Sequence, residues 1–163
     1  MGHMNKPYNI IDDPNYRANV GIMLVNKDHQ ILAGEAFHYP GEWMMPQGGI
    51  DGGETSHQAM QRELVEETGI TYDEVTFIRE NDEWLSYLFR KPLFKDGALY
   101  VGQRQKWFLL EYNGELPDAK ATIDQEFLQF RWVDAEWLIQ HTTRFKVDVY
   151  RTIILNFKEH FPE

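Results

Sequence analysis

Residues 52–70, GGETSHQAMQRELVEETGI, constrain the chain more than any other stretch, because they carry both ends of a helix and a charge pattern that ordinary helices avoid. Thr55 with Gln58 three residues on has the form of a capping box. Gly69 supplies the left-handed stop that a residue with a Cβ resists. The spacing therefore predicts a helix over residues 55–68. At about 100° per residue, Glu63, Glu66 and Glu67 share roughly a 100° arc, with Met60 and Leu64 as an apolar i, i+4 pair beside it. A solvated helix face usually alternates its charges, whereas Glu63 and Glu67 repel by ~0.2–0.5 kcal/mol. The negative end of the helix dipole adds to that cost in the last turn. Arg62 offsets part of it, but a bound divalent cation would reverse the sign of every term, since carboxylate oxygens are the ligands Mg²⁺ takes.

Composition bears on which cation and which substrate. The chain has no cysteine, which excludes disulfides and thiolate metal sites and leaves oxygen or imidazole ligands, the preference of hard cations. The six histidines show no ligand spacing. A net charge of −10 argues against a general basic surface for nucleic acid, so the phosphates of any nucleotide substrate must meet cations or a few placed basic side chains. No apolar run approaches the roughly 18 to 20 residues that span a bilayer, and no secretory segment is evident, so a cytoplasmic protein is expected. The segment Met1-Gly2-His3-Met4 reads as an expression-tag remnant ahead of a natural start, and 5–163 as one domain.

NVGIMLV from Asn19 and QILAGEAF from Gln30, joined by NKDH, read as a β-hairpin. EWMMPQGG reads as a short strand ended by proline and paired glycines. VTFI, WLSYLF, QKWFLLEY and FRWV read as further strands, DAEWLIQH as a short helix and KVDVYRTIILNFKEHF as an amphipathic C-terminal helix. Strands interspersed with a few helices predict an α/β layered domain with a mixed sheet.

The complete spacing is Gly48, five residues, Glu54, seven residues, Arg62-Glu63-Leu64, one residue, Glu66-Glu67, one residue, Gly69-Ile70. It resembles the signature of the Nudix hydrolases, which cleave nucleoside diphosphates linked to another moiety. YRANVGI, WMMPQGGI, GQRQKWFLL, EFLQFRWV and FKVDVY further resemble stretches of the bacterial RNA pyrophosphohydrolases and related dinucleoside polyphosphate hydrolases. The resemblance covers Tyr16 to Tyr150 and implies a Nudix-type α/β/α sandwich with a mixed β-sheet. It also implies a phosphoanhydride hydrolase that uses Mg²⁺, with Mn²⁺ as a substitute, on an RNA 5′ end or a dinucleoside polyphosphate.

Carried over residue by residue, the resemblance implies metal ligation by Glu63, Glu66 and Glu67, by the carbonyl of Gly48 and by Glu126. Glu67, Glu63 and Glu126 are all candidates for the general base. Arg62 and Glu54 are expected to brace the loop. Arg17, Gln103 and Lys146 match positions that bind phosphates or nucleotide, and Phe145 either stacks on a base or packs in the core. Trp43, Trp107 and Trp132 are expected in the core. The chain departs from many relatives where Ala36 replaces an arginine before Phe37, where Gln125 replaces a proline and where Phe130 replaces a tryptophan. These departures concern the base more than the metal, and a weaker hold on RNA favours free dinucleoside polyphosphates. A Nudix module that senses a nucleotide without cleaving it is the alternative of another class, against which stands an intact set of box glutamates.

Overall fold

Strand β1 (Tyr16–Val25) sends alternate side chains into two different cores, and this alternation sets the layers of the molecule. Val20, Ile22 and Leu24 enter one core, while Met23 and Val25 enter the other. β7 (Ala98–Glu111) repeats the division, with Phe108 and Leu110 on the first side and Trp107 and Leu109 on the second. The two strands run parallel, from Tyr16 opposite Gly102 to Val25 opposite Glu111. Burial on both faces explains why they read as near-continuous apolar runs.

Helix α1 (Ser56–Thr68) covers the first core through Ala59, Met60 and Leu64. α2 (Ala135–His141) and α3 (Val147–Phe157) cover the second, chiefly through Leu138, Tyr150, Ile153 and Phe157. The computed structural model describes residues 13–163. The expected tag remnant at residues 1–4 lies outside the described residues. Among the described residues the sheet has eight strands, in the order β3 (Trp43–Met44), β2 (Ile31–Ala36), β1, β7, β5 (Thr76–Glu80). β4 (Gln47–Gly49) pairs with β1, β6 (Leu85–Lys95) with β7 and β8 (Phe127–Val133) with β2. All these pairings except β1 with β7 are antiparallel, which makes the sheet mixed. This is the expected α/β/α sandwich.

Two strand readings change. The β1–β2 hairpin is paired at its closed end, Val25 opposite Ile31, and then opens, because β1 takes β4 and β7 as partners while β2 takes β3 and β8. The separated ends of β1 and β2 border the acidic cleft. β6 and β7 run well past the expected segments and meet at Asp96-Gly97, with φ of 52° and 77°. Two successive left-handed residues suit the tight turn that Asp-Gly favours, and that dipeptide was the available signal.

Candidate active site

Helix α1 turns its acidic face into the cleft instead of solvent. Its ends are those the sequence predicts: the Thr55 hydroxyl accepts from the Gln58 amide, the Gln58 side chain accepts from the Thr55 amide, and Gly69 adopts φ 77°. With Ala59, Met60 and Leu64 packed in the core, Glu63 and Glu67 are each only 6% exposed. One carboxylate oxygen from each lies within 4.8 Å of the other and of an oxygen of Asp124. Asp124 comes from the loop before β8, whose path includes Gln125 at φ 50°. The Asp124 amide donates to the Glu66 carbonyl at 3.2 Å, fastening that loop to the last turn of α1.

Strand β4 forms the opposite wall. The Gln47 amide donates to Glu67 Oε1 at 2.9 Å. Gly48 lies so close to Glu63 that a Cβ there would stand 1.9 Å from the carboxyl carbon, so this position has room for glycine alone without moving the carboxylate. Arg17 lies over Gly49, where an added Cβ would approach Nη2 to 2.3 Å.

Arg62 binds the loop to the helix. Its Nε donates to Glu54 Oε2 at 2.7 Å and its Nη2 to Glu54 Oε1 at 2.9 Å, a bidentate pair. Nη2 also donates to the Gly49 carbonyl at 2.7 Å, and Nη1 donates to Glu63 at 2.8 Å and Glu66 at 2.9 Å. The hydrogen bond from Arg62 holds the Glu54 carboxyl below its ordinary range. Arg62 and Glu54 thus brace the loop as expected.

Even with this brace, burial dominates at the centre of the cleft. Desolvation pushes the Glu63 carboxyl from 4.5 up to about 7, against the hydrogen bond from Arg62. Glu67 is pushed well above its ordinary value, first by desolvation and then by the nearby carboxylates Glu63, Glu126 and Asp124. An all-oxygen donor set whose charges burial disfavours fits a hard divalent cation.

The raised values dictate a pH dependence. Below pH 4.5 Glu63 is protonated whether folded or unfolded, and between 4.5 and about 7 the folded state holds the extra proton. Stability contributed by this group is therefore fully present below 4.5 and is lost as pH rises through about 7. Lys146, held down to about 8 by burial, becomes neutral in the folded state only above that value and acts in the opposite direction there. Thermal melts in chelator should accordingly show the melting temperature falling from about pH 5 to pH 7.5, with the slope flattened by saturating Mg²⁺. A melting temperature that rises across that window in chelator would contradict the burial of these carboxylates.

Arg17, Gly48, Glu63, Glu67 and Glu126 line the cleft together. Glu66 is half-buried and turned to Arg62. Lys146 contacts Gln47, while Gln103 and Phe145 meet at Tyr87. Lys146 is buried, and its Nζ donates to Gln47 Oε1 at 3.2 Å and approaches Met44 Sδ at 3.6 Å. Gln103 is buried and donates to the Tyr87 hydroxyl, while Phe145 tilts against the Tyr87 ring at 5.5 Å. Trp43 and Trp107 are core residues, and Trp132 is half-buried, stacked on Tyr112.

Asp124 was not anticipated from sequence, although an acid two residues before Glu126 was visible as the Asp-Gln-Glu run. Nor was the polar relay from Lys146 through Gln47 to Gln105 and Asn19, whose Gln105 Nε2 donates to Asn19 Oδ1 at 2.8 Å and to Gln47 Oε1 at 3.0 Å. Isolated amides in strands carry no periodic signal.

The NUDIX domain family model matches residues 15–153. A Cereibacter sphaeroides protein named RNA pyrophosphohydrolase is 40% identical over 149 residues, covering 89% of this chain and 92% of that protein. A Coxiella burnetii protein of the same name is 38% identical over 158 residues, covering 92% of this chain and 68% of that protein. Among solved structures, the Escherichia coli dihydroneopterin triphosphate pyrophosphohydrolase superposes with a TM-score of 0.64 at 19% identity over 86% of this chain and 98% of that one, a likeness of fold. With a capped acidic helix at the box positions, a sandwich of the matching architecture and a family match across most of its length, the chain belongs to the NUDIX domain family.

Proposed function

We propose that this protein is a Mg²⁺-dependent phosphoanhydride hydrolase, one domain over residues 5–163, that works in the cytoplasm. Its substrate is 5′-triphosphorylated RNA, from which it removes pyrophosphate or successive phosphates, and it also cleaves dinucleoside polyphosphates. The observation that carries the reading is the convergence of buried Glu63 and Glu67 with Asp124 in one cleft. Identity of 38–40% to proteins named RNA pyrophosphohydrolase supports the substrate.

Glu63, Glu66, Glu67 and Glu126, the Gly48 carbonyl and Asp124 would hold Mg²⁺ or Mn²⁺. When bound, the metal lowers the pKa of a water and neutralises charge on phosphoryl oxygens. The chain's own residues supply the rest. Arg62 keeps Glu63 and Glu66 in place through its Nη1 contacts. Glu67, Glu63 and Glu126, which line the cleft, are the candidates to take a proton from the attacking water. Arg17, spread over Gly49, receives a phosphate, whereas Lys146 acts through Gln47. Gln103 and Phe145 steady Tyr87 on the same side.

The test offers purified protein and Mg²⁺ equal concentrations of 5′-triphosphate RNA and diadenosine tetraphosphate, with products resolved by mass spectrometry. The expected result is faster formation of monophosphorylated RNA. Faster release of ATP and AMP assigns the cleft to free dinucleotides, and no turnover of either leaves a non-catalytic sensor.

A further inference from the structure

The rim of the cleft holds two large aromatic side chains in water. Phe37 is 51% exposed and Tyr39 61% exposed, and both line the cleft that contains Glu63, Glu67 and Glu126. Their loop, which joins β2 to β3, is closed by its own hydrogen bonds. The Ala36 amide donates to the Glu42 carbonyl at 2.8 Å and the Glu42 amide to the Tyr39 carbonyl at 3.0 Å, closing the loop on itself. Gly41, at φ 94°, makes the return and donates its amide to Glu35 Oε2 at 2.9 Å. The Phe37 amide donates to the Glu126 backbone carbonyl at 2.9 Å, which joins the rim to the segment that carries a cleft carboxylate. His38 meets the Phe37 ring at 5.2 Å with planes 79° apart, a T-shaped contact.

The β6–β7 hairpin also reaches this cleft. Lys95, exposed at its turn, lines the same cleft as Phe37 and Tyr39. Rim and hairpin thus line one cleft, the first with aromatic rings and the second with a cation. Fully burying an aromatic ring removes on the order of 150–250 Å² from water, so rings fixed outside a polar cleft are suited to a ligand that covers them. A ligand whose phosphates reach the carboxylates through bound cations and whose next group is flat and aromatic is a nucleotide. A cation in the same cleft adds a second requirement, a phosphate lying beyond the base.

Resting on the RNA reading above, we propose that Phe37 and Tyr39 form a stacking subsite for a nucleobase near the RNA 5′ end, and that Lys95 contacts the phosphodiester that follows it. The rim takes over base contact in a chain that has Ala36 just before Phe37. Lys95 makes the site favour a polynucleotide over a free dinucleotide, because diadenosine tetraphosphate has no phosphodiester beyond its bases.

Steady-state kinetics on a 5′-triphosphate tetranucleotide and on diadenosine tetraphosphate test both parts. The Phe37→Ala, Tyr39→Ala double variant should raise KM for the RNA at least ~10-fold, with kcat within about twofold, since base stacking typically has that magnitude. Wild-type protein should lose a similar factor when the stacked base is replaced by an abasic residue, and the double variant should lose no more on that substrate. Phe37→Trp should retain wild-type KM, and melting temperatures should be unchanged. Lys95→Ala should raise KM for RNA and leave that for diadenosine tetraphosphate unaltered.

An unchanged KM for both substrates in the double variant overturns the stacking subsite. Equal effects of Lys95→Ala on both substrates overturn its phosphodiester role. If the wild-type protein does not cleave RNA, the RNA reading fails by itself, and the effect of the double variant on KM for diadenosine tetraphosphate still decides whether the rim stacks a base.

Discussion

Glu67→Gln lowers turnover by at least ~10²-fold and raises the melting temperature of the metal-free protein. The first effect follows from removing a charge at the place where phosphoryl charge must be balanced, a contact with that typical magnitude. The second follows from burial. Glu67 is 6% exposed and desolvation is the largest influence on its carboxyl, with Glu63, Glu126 and Asp124 adding repulsion. Glutamine has the same shape, keeps a carbonyl oxygen for the Gln47 amide and carries no charge to desolvate. Turnover of both substrates together with melts in chelator measures the two effects. Wild-type turnover removes Glu67 from the mechanism, and a lowered melting temperature in chelator contradicts the burial account.

Arg62→Met carries the largest expected loss of stability, ~3–5 kcal/mol by urea unfolding. An exposed ion pair contributes only about 0–1 kcal/mol, so the difference depends on where the partners lie. Side-chain exposure is 26% for Arg62, 20% for Glu54, 8% for Glu63 and 26% for Glu66. Methionine leaves those carboxylates and the Gly49 carbonyl without their shared donor. Arg62→Lys restores little, because one ammonium cannot supply a bidentate pair to Glu54 and also reach Gly49, Glu63 and Glu66. A loss below ~1 kcal/mol for Arg62→Met would show that solvent already screens the network.

Both substitutions fall on α1, the element most legible in the sequence. Its caps are local: Thr55 and Gln58 bond within one turn, and Gly69 stops the helix by its own dihedral. The Arg62–Glu66 pair is local as well, i to i+4, whereas the brace from Arg62 to Glu54 was expected from the resemblance. The paired cores were legible through the apolar runs of β1 and β7, whose side chains serve opposite faces. The β1–β2 hairpin was half legible. Its turn is local, but its opening depends on the competing partners β4, β7, β3 and β8, which are distant in sequence.

Candidate residues divide on the same line. Glu63, Glu66, Glu67, Gly48, Arg17 and Glu126 were named from the box and its resemblance, and all but Glu66 line one cleft. Lys146 was named as a substrate contact; it is buried, with its Nζ against Gln47 and Met44, which line the cleft. No periodicity shows which side of β4 a lysine at the start of a distant helix will reach. Asp124 enters through a loop whose turn uses Gln125 in the left-handed region, a conformation that residue type does not advertise.

By itself the sequence determined the capped acidic helix, the mixed α/β layering and the family signature, because each is written in contacts a few residues apart or in strict spacing. Tertiary structure alone decided that Glu63 and Glu67 are buried, that Asp124 joins them, that Lys146 bonds to Gln47, and that Phe37, Tyr39 and Lys95 line one cleft. These depend on the approach of segments far apart in the chain, and it is desolvation at their meeting point that raises the carboxylates and suits the cleft to a divalent cation.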